Sequence, residues 1–94
     1  MAELFWEPEA RAIYDALDDQ PLRLGDAIEL LLDQLEDDPG HESVRRRSRR
    51  TSKGDVIWKI DIRPSAEDWT LLWIEHPQRV GDVLIVYLGP SQYT

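Results

Sequence analysis

The sequence predicts a single α+β domain in which two helices cover one face of a largely antiparallel sheet. Two segments before Pro39 repeat apolar side chains at helical spacing. Three segments after Asp55 are apolar runs or alternations of strand length. Pro39-Gly40 and a cationic stretch separate these halves. Ninety-four residues suit one domain, spanning 1–94, with one core and no internal repeat or linker.

Leu4-Phe5-Trp6 is a short apolar run stopped by Pro8, as expected of a first strand. Pro8 suits the first turn of a helix, and Glu7 and Glu9 favour its positive end. Ala10, Ile13, Tyr14 and Leu17 then share one helical face, which predicts a helix to about Asp19. Gln20-Pro21 breaks it. Leu24, Ala27, Ile28, Leu31, Leu32 and Leu35 form a cleaner stripe, with Asp26, Glu29, Asp33 and Glu36 outside it. That predicts a second helix from Leu22 to Asp37, so the pair forms an antiparallel helical hairpin. Asp37-Asp38 sit badly at a helix C-terminus.

Val44 to Arg50 reads as an edge strand, a loop or a disordered stretch; charged residues on an edge strand block unwanted pairing. Val56, Trp58, Ile60 and Ile62 alternate with Lys59, Asp61 and Arg63, as in a strand with one buried face. Pro64 to Asp68 is a loop. Trp69 to Ile74 and Val83 to Leu88 are apolar on both faces, as central strands tend to be. The turn His76 to Asp82 joins them, and Gly89-Pro90 is expected to close the sheet. The amphipathic helical hairpin is then the cover for the sheet's apolar face.

Charge is distributed unevenly. The whole chain carries −8, but residues 1–38 carry −10, residues 39–63 carry +5 and residues 64–94 carry −3. The total argues against a surface that grips nucleic acid everywhere, while the basic middle is where a polyanion would sit. With no Cys in these residues there is no disulfide framework, thiolate metal site or cysteine nucleophile. Apolar runs are far too short to cross a bilayer, and Met1-Ala2-Glu3-Leu4 lacks a basic leader, so a cytoplasmic protein is expected. No Gly-rich phosphate loop and no His-containing carboxylate set appears, so neither metal nor cofactor is expected.

Phe5-Trp6-Glu7-Pro8-Glu9-Ala10, Asp38 to Ser43, Trp58 to Arg63, Trp69 to Trp73 and Val83 to Gly89 together resemble the RelE/ParE superfamily of bacterial toxins. The first of them is similar to the opening of many members. Asp38-Pro39-Gly40-His41-Glu42-Ser43 and the basic residues after it resemble the family's crossover from helix to sheet. Trp58-Lys59-Ile60-Asp61-Ile62-Arg63 looks like its aromatic-Lys/Arg-Ile-x-hydrophobic-Arg strand, and Trp69-Thr70-Leu71-Leu72-Trp73 falls where members often read Tyr-Arg-hydrophobic-hydrophobic-Tyr. Val83 to Gly89 matches a last apolar strand ending in Gly.

The resemblance implies a toxin-like component of a bacterial type II toxin–antitoxin system, a stress-response device held by a cognate antitoxin. Such a protein acts in the cytoplasm on ribosome-bound mRNA or on DNA gyrase, and homo-oligomers are compatible with it. An RNA-cleaving member uses basic residues on the sheet and a Tyr, because attack of a 2′-hydroxyl on phosphate needs a base, an acid and cations. Lys59 falls on a family catalytic Lys position, and Tyr93 lies near a catalytic Tyr position at a different distance from Gly89. Asp61 stands where a second Lys is expected, Thr70 where an Arg is expected, and Pro90-Ser91 replace a basic pair. The ribonuclease set is therefore incomplete. The alternative is a non-catalytic interaction domain on the same fold: a gyrase-inhibitor type, a degenerate toxin or an adaptor.

The run Arg45, Arg46, Arg47, Arg49 and Arg50, with Arg63, is the expected contact for nucleic-acid phosphates or for a partner. It equally fits an acidic partner, the chain's own acidic helices or a solvated protective edge. Lys59 and Arg63 flank Asp61 as a surface charge ladder would. His41 and His76 lie in loops with no nucleophile beside them. The alternation of Trp58, Trp69 and Trp73 with aliphatic residues fits a core better than a base-stacking platform.

Overall fold

The computed structural model describes residues 2–41, 45, 47–50, 56–62 and 68–91, with Arg47, Arg49 and Arg50 described through their backbone. Strand β1 spans Leu4–Trp6, and helix α1 spans Pro8–Asp15. Glu7 enters α1 with extended backbone, and Pro8 fills a first-turn position that needs no N–H. The expected helix to Asp19 ends as α-helix at Asp15. Ala16 N–H is shared between the Ala12 and Ile13 carbonyls, and the chain tightens into a 3-10 turn, Leu17–Asp19. Ile13 is exposed, while Ala10 is buried and Tyr14 and Leu17 pack against the core.

Helix α2 spans Leu22–Asp37, as its stripe predicts. Leu24, Ile28, Leu32 and Leu35 are buried, with Ala27 and Leu31 partly so. The awkward acid at its end has a job. Asp38 Oδ1 accepts from Gly40 N–H (3.0 Å), and its carbonyl accepts from His41 N–H (3.1 Å), so Asp38 forms the turn that stops the helix.

Four further strands follow: β2 (Arg47–Arg50), β3 (Val56–Ile62), β4 (Trp69–Glu75) and β5 (Val83–Pro90). With β1 they form one mixed sheet in the order β1-β5-β4-β3-β2. Strands β2 to β5 are antiparallel to their neighbours, and β1 runs parallel to β5. Gly89 and Pro90, expected to close the sheet, instead continue β5 and pair with Thr70 and Trp69. Pro90 is tolerated because β1 has ended at the level of Ile85, leaving that end of β5 as an edge.

The register assigns the two faces. Trp58, Ile60 and Ile62 align with Trp73, Leu71 and Trp69, and these with Ile85, Leu88 and Pro90. This face meets α2 in one core, in which Trp73, Leu71, Ile85, Ile28 and Leu35 have no accessible surface. The opposite face carries Lys59, Asp61, Thr70, Leu72, Leu84, Tyr87 and Gly89. The architecture is therefore α+β, with the helical layer on one face and, among the described residues, no second layer on the other. A bulge between Leu72 and Trp73 on one side, and Tyr87 and Ile85 on the other, leaves Val86 as the extra residue. Trp69 is buried, yet its indole N–H finds no acceptor among the described residues, which costs about 1–3 kcal/mol. Among the described residues no helix is long and apolar enough to cross a membrane.

The β4–β5 hairpin is stitched to the start of the chain. Asp82 accepts from Glu3 N–H (2.9 Å) and from Arg79 Nε (3.0 Å), and Arg79 also reaches Glu3 Oε2 (3.3 Å). The Arg79 guanidinium lies 4.9 Å from the Phe5 ring centre, and His76 meets Phe5 edge-on at 4.8 Å. The Glu3 N–H, then the Arg79 guanidinium, hold the Asp82 carboxyl below the usual carboxylate range. Its charged form is favoured by folding, so its contribution is present above about pH 3.8 and is lost as pH falls through the lowered value. Asp82→Asn should therefore unfold at a lower temperature than the parent at pH 7, and the gap should narrow near pH 3. A gap independent of pH would show that this carboxylate does not act through its charge.

Candidate functional site on the open face of the sheet

Cross-strand register brings polar side chains from three strands together on the open face. Lys59 on β3 stands opposite Leu72 on β4, which stands opposite Tyr87 on β5. Two residues along, Asp61 stands opposite Thr70, which stands opposite Gly89. Residues opposite one another in an antiparallel pair point to the same face, so these two rows are adjacent.

Each described member of this patch is engaged by a neighbour. Lys59 Nζ lies 3.7 Å from Asp61 Oδ1, and the two side chains are only 15% and 20% exposed. Thr70 Oγ1 and Ser91 Oγ share a 2.6 Å hydrogen bond, and Thr70 is the buried polar residue of the described core. Tyr87 donates its hydroxyl proton to the Pro90 carbonyl at 2.7 Å. Its ring leans along the strand over Gly89, where a Cβ would stand 2.9 Å from the hydroxyl oxygen. A side chain at position 89 would have to displace the Tyr87 ring.

Of the residues expected to act, Lys59 lies in this patch, and its charge is met by Asp61. Arg47 stands opposite Lys59 in register, and Arg49 opposite Ile57, which places the basic edge strand β2 beside the patch. Arg50 stands opposite Val56 on the same strand. Arg46, Arg63 and Tyr93 lie outside the described residues. Arg45 is placed elsewhere: its guanidinium lies 5.0 Å from the Trp58 ring centre and 5.4 Å from that of Trp73, and its Nε donates to the Pro39 carbonyl at 2.7 Å. It joins the end of α2 to the edge of the core.

Tyr87 is the member that sequence reasoning misses. Strict alternation from Val83 would turn Tyr87 toward the core and Leu88 away from it. The extra residue at Val86 reverses both, so Leu88 is buried and Tyr87 faces out. A Tyr within an aliphatic run is the one signal that pointed there. Trp69 and Trp73 are core residues, and Trp58 packs partly buried against them, as their alternation implies. Among the described residues no group of His, Asp and Glu could hold a metal ion.

The patch has polar groups, a largely covered cation and apolar flanks at Leu72 and Leu84, but the protons and charges described there are already shared internally. Such a surface suits binding better than proton transfer. Comparison with known proteins gives no match to a family model, to a curated protein or to a solved structure.

Proposed function

We propose that this chain is a toxin-like, RelE/ParE-like component of a bacterial type II toxin–antitoxin pair, acting in the cytoplasm by binding rather than by cutting RNA. The contact surface is the open sheet face, and a cognate antitoxin would neutralise the protein by covering it. The carrying observation for binding is the Lys59–Asp61 pair. A ribonuclease site needs cation charge in reserve for the developing phosphate charge and a side chain able to trade a proton. At the matched position the cation lies beside a carboxylate, and the Tyr87 proton is committed to Pro90. The order of one strand, two helices and four antiparallel strands supports the family reading. A gyrase-type inhibitor or an adaptor on the same fold would make the same use of the surface.

Induced expression in a bacterial host, parent beside Lys59→Ala, tests this reading. Growth arrest is expected from both, with ribosome-bound mRNA left intact. Cuts in mRNA together with growth restored by Lys59→Ala would replace binding with cleavage. Unimpaired growth on expression of the parent would remove the toxin reading.

A further inference from the structure

Among the described residues Arg45 is a cation without a counter-ion, in a protein of net charge −8. Partly buried, it lies over two indoles, and its Nε is bound by the Pro39 carbonyl. A guanidinium carries five N–H donors. Among the described residues no carboxylate lies within ion-pair distance of it, although nineteen acids are present in the chain. Partly buried cations ordinarily recruit a carboxylate, since π faces compensate lost hydration only in part.

Beside this guanidinium is a hollow of about 400 Å³ lined by Arg45, Val56, Trp58, Ile74, Glu75 and Pro77. Its walls are mostly apolar, with the Arg45 cation and the exposed Glu75 carboxylate as the charged members, and water and salt screen the exposed carboxylate. Arg45 is pre-oriented: the bond to Pro39 and the two rings fix the guanidinium plane, so little side-chain freedom is left to lose on binding. The arrangement is that of a small-ligand site, a concave and mostly apolar surface with a fixed cation in its wall.

We propose that this hollow binds a small carboxylate carried on a planar apolar body. The carboxylate would take the unused N–H donors of Arg45, where two parallel hydrogen bonds can form. The apolar body would lie against Val56, Pro77 and the Trp58 indole. This site is on the helix-side edge of the sheet and is independent of the proposed toxin function.

The test titrates the protein with sodium benzoate and, at matched ionic strength, with benzamide, its uncharged isostere, by calorimetry and by thermal unfolding. Benzoate should bind with half-saturation at about millimolar concentration, as expected of so few heavy atoms. At a tenfold excess over that value the unfolding midpoint should rise by about 7 °C. Benzamide should bind at least about tenfold more weakly, since it lacks the charge. Arg45→Met keeps the length of the side chain and should abolish the benzoate response. Should that variant fail to fold, Val56→Phe fills the hollow at a strand position that accepts an aromatic residue, and should abolish binding with Arg45 intact. No benzoate binding, equal binding of benzamide, or a response that survives these substitutions overturns the proposal.

Discussion

Trp73→Ala is expected to lower the stability of the protein by about 3–5 kcal/mol, a large part of the roughly 5–15 kcal/mol available to a domain of this kind. Trp73 has no accessible surface and stands in the centre of β4, opposite Trp58 on one side and Ile85 on the other. Its indole lies 6.2 Å from that of Trp58, centre to centre, and is one of the two rings under the Arg45 guanidinium. Truncation leaves a cavity between sheet and helices and removes half of the π surface that holds a partly buried cation. Chemical denaturation of parent and variant measures the loss. A change below about 1 kcal/mol would be incompatible with a packed Trp73 and with the layer arrangement described.

Gly89→Ala is expected to cost about 1–3 kcal/mol through a different route. The new methyl would stand 2.9 Å from the Tyr87 hydroxyl oxygen and 3.2 Å from the ring carbon that bears it. The ring has to swing away, and the 2.7 Å hydrogen bond to the Pro90 carbonyl goes with it. Backbone freedom alone does not predict this, because alanine disfavours the unfolded ensemble and would stabilise a position that had room for it. A double-mutant cycle isolates the contact. Tyr87→Leu removes the hydroxyl, so Gly89→Ala should cost markedly less in that background than in the parent. Equal costs in both would place the strain of Gly89→Ala somewhere other than Tyr87. Because Tyr87 belongs to the open-face patch, the same substitution should also weaken any partner bound there.

The elements were legible where one periodicity dominated. The stripe of α2 runs from Leu24 to Leu35 without an interruption, and both helix ends fall where Pro21 and Pro39-Gly40 put them. The alternation of β3 placed Trp58, Ile60 and Ile62 against the helices without help from the rest of the chain. In α1 the apolar spacing continued past Ala16, but spacing does not report that the backbone has tightened from α to 3-10 geometry. The bulge at Val86 was invisible because every residue from Val83 to Leu88 is apolar or aromatic, so either register buries hydrophobic surface. That ambiguity hid Tyr87, and with it half of the candidate site. Arg45 was concealed in another way. Within a run of arginines each looks equivalent, and nothing in the run itself says that Arg45 packs against Trp58 and Trp73.

The parallel pairing of β1 with β5 sets an order of events in synthesis. Leu4 pairs with Val83, and the Glu3 N–H bonds Asp82, seventy-nine residues later. The first strand therefore leaves the ribosome long before β5, its neighbour in the sheet, exists. Helix α2 is in the same position, since its apolar stripe waits for β3, β4 and β5. Closing so long a loop is entropically costly until the strands it joins are formed. The β3–β4–β5 meander should accordingly form first, from the chain beginning at Val56, with β1 added as a late edge. Until then an apolar helix face and an unpaired Leu4-Phe5-Trp6 are in solution together, and this interval is when the nascent chain is most exposed to aggregation or to capture by a chaperone.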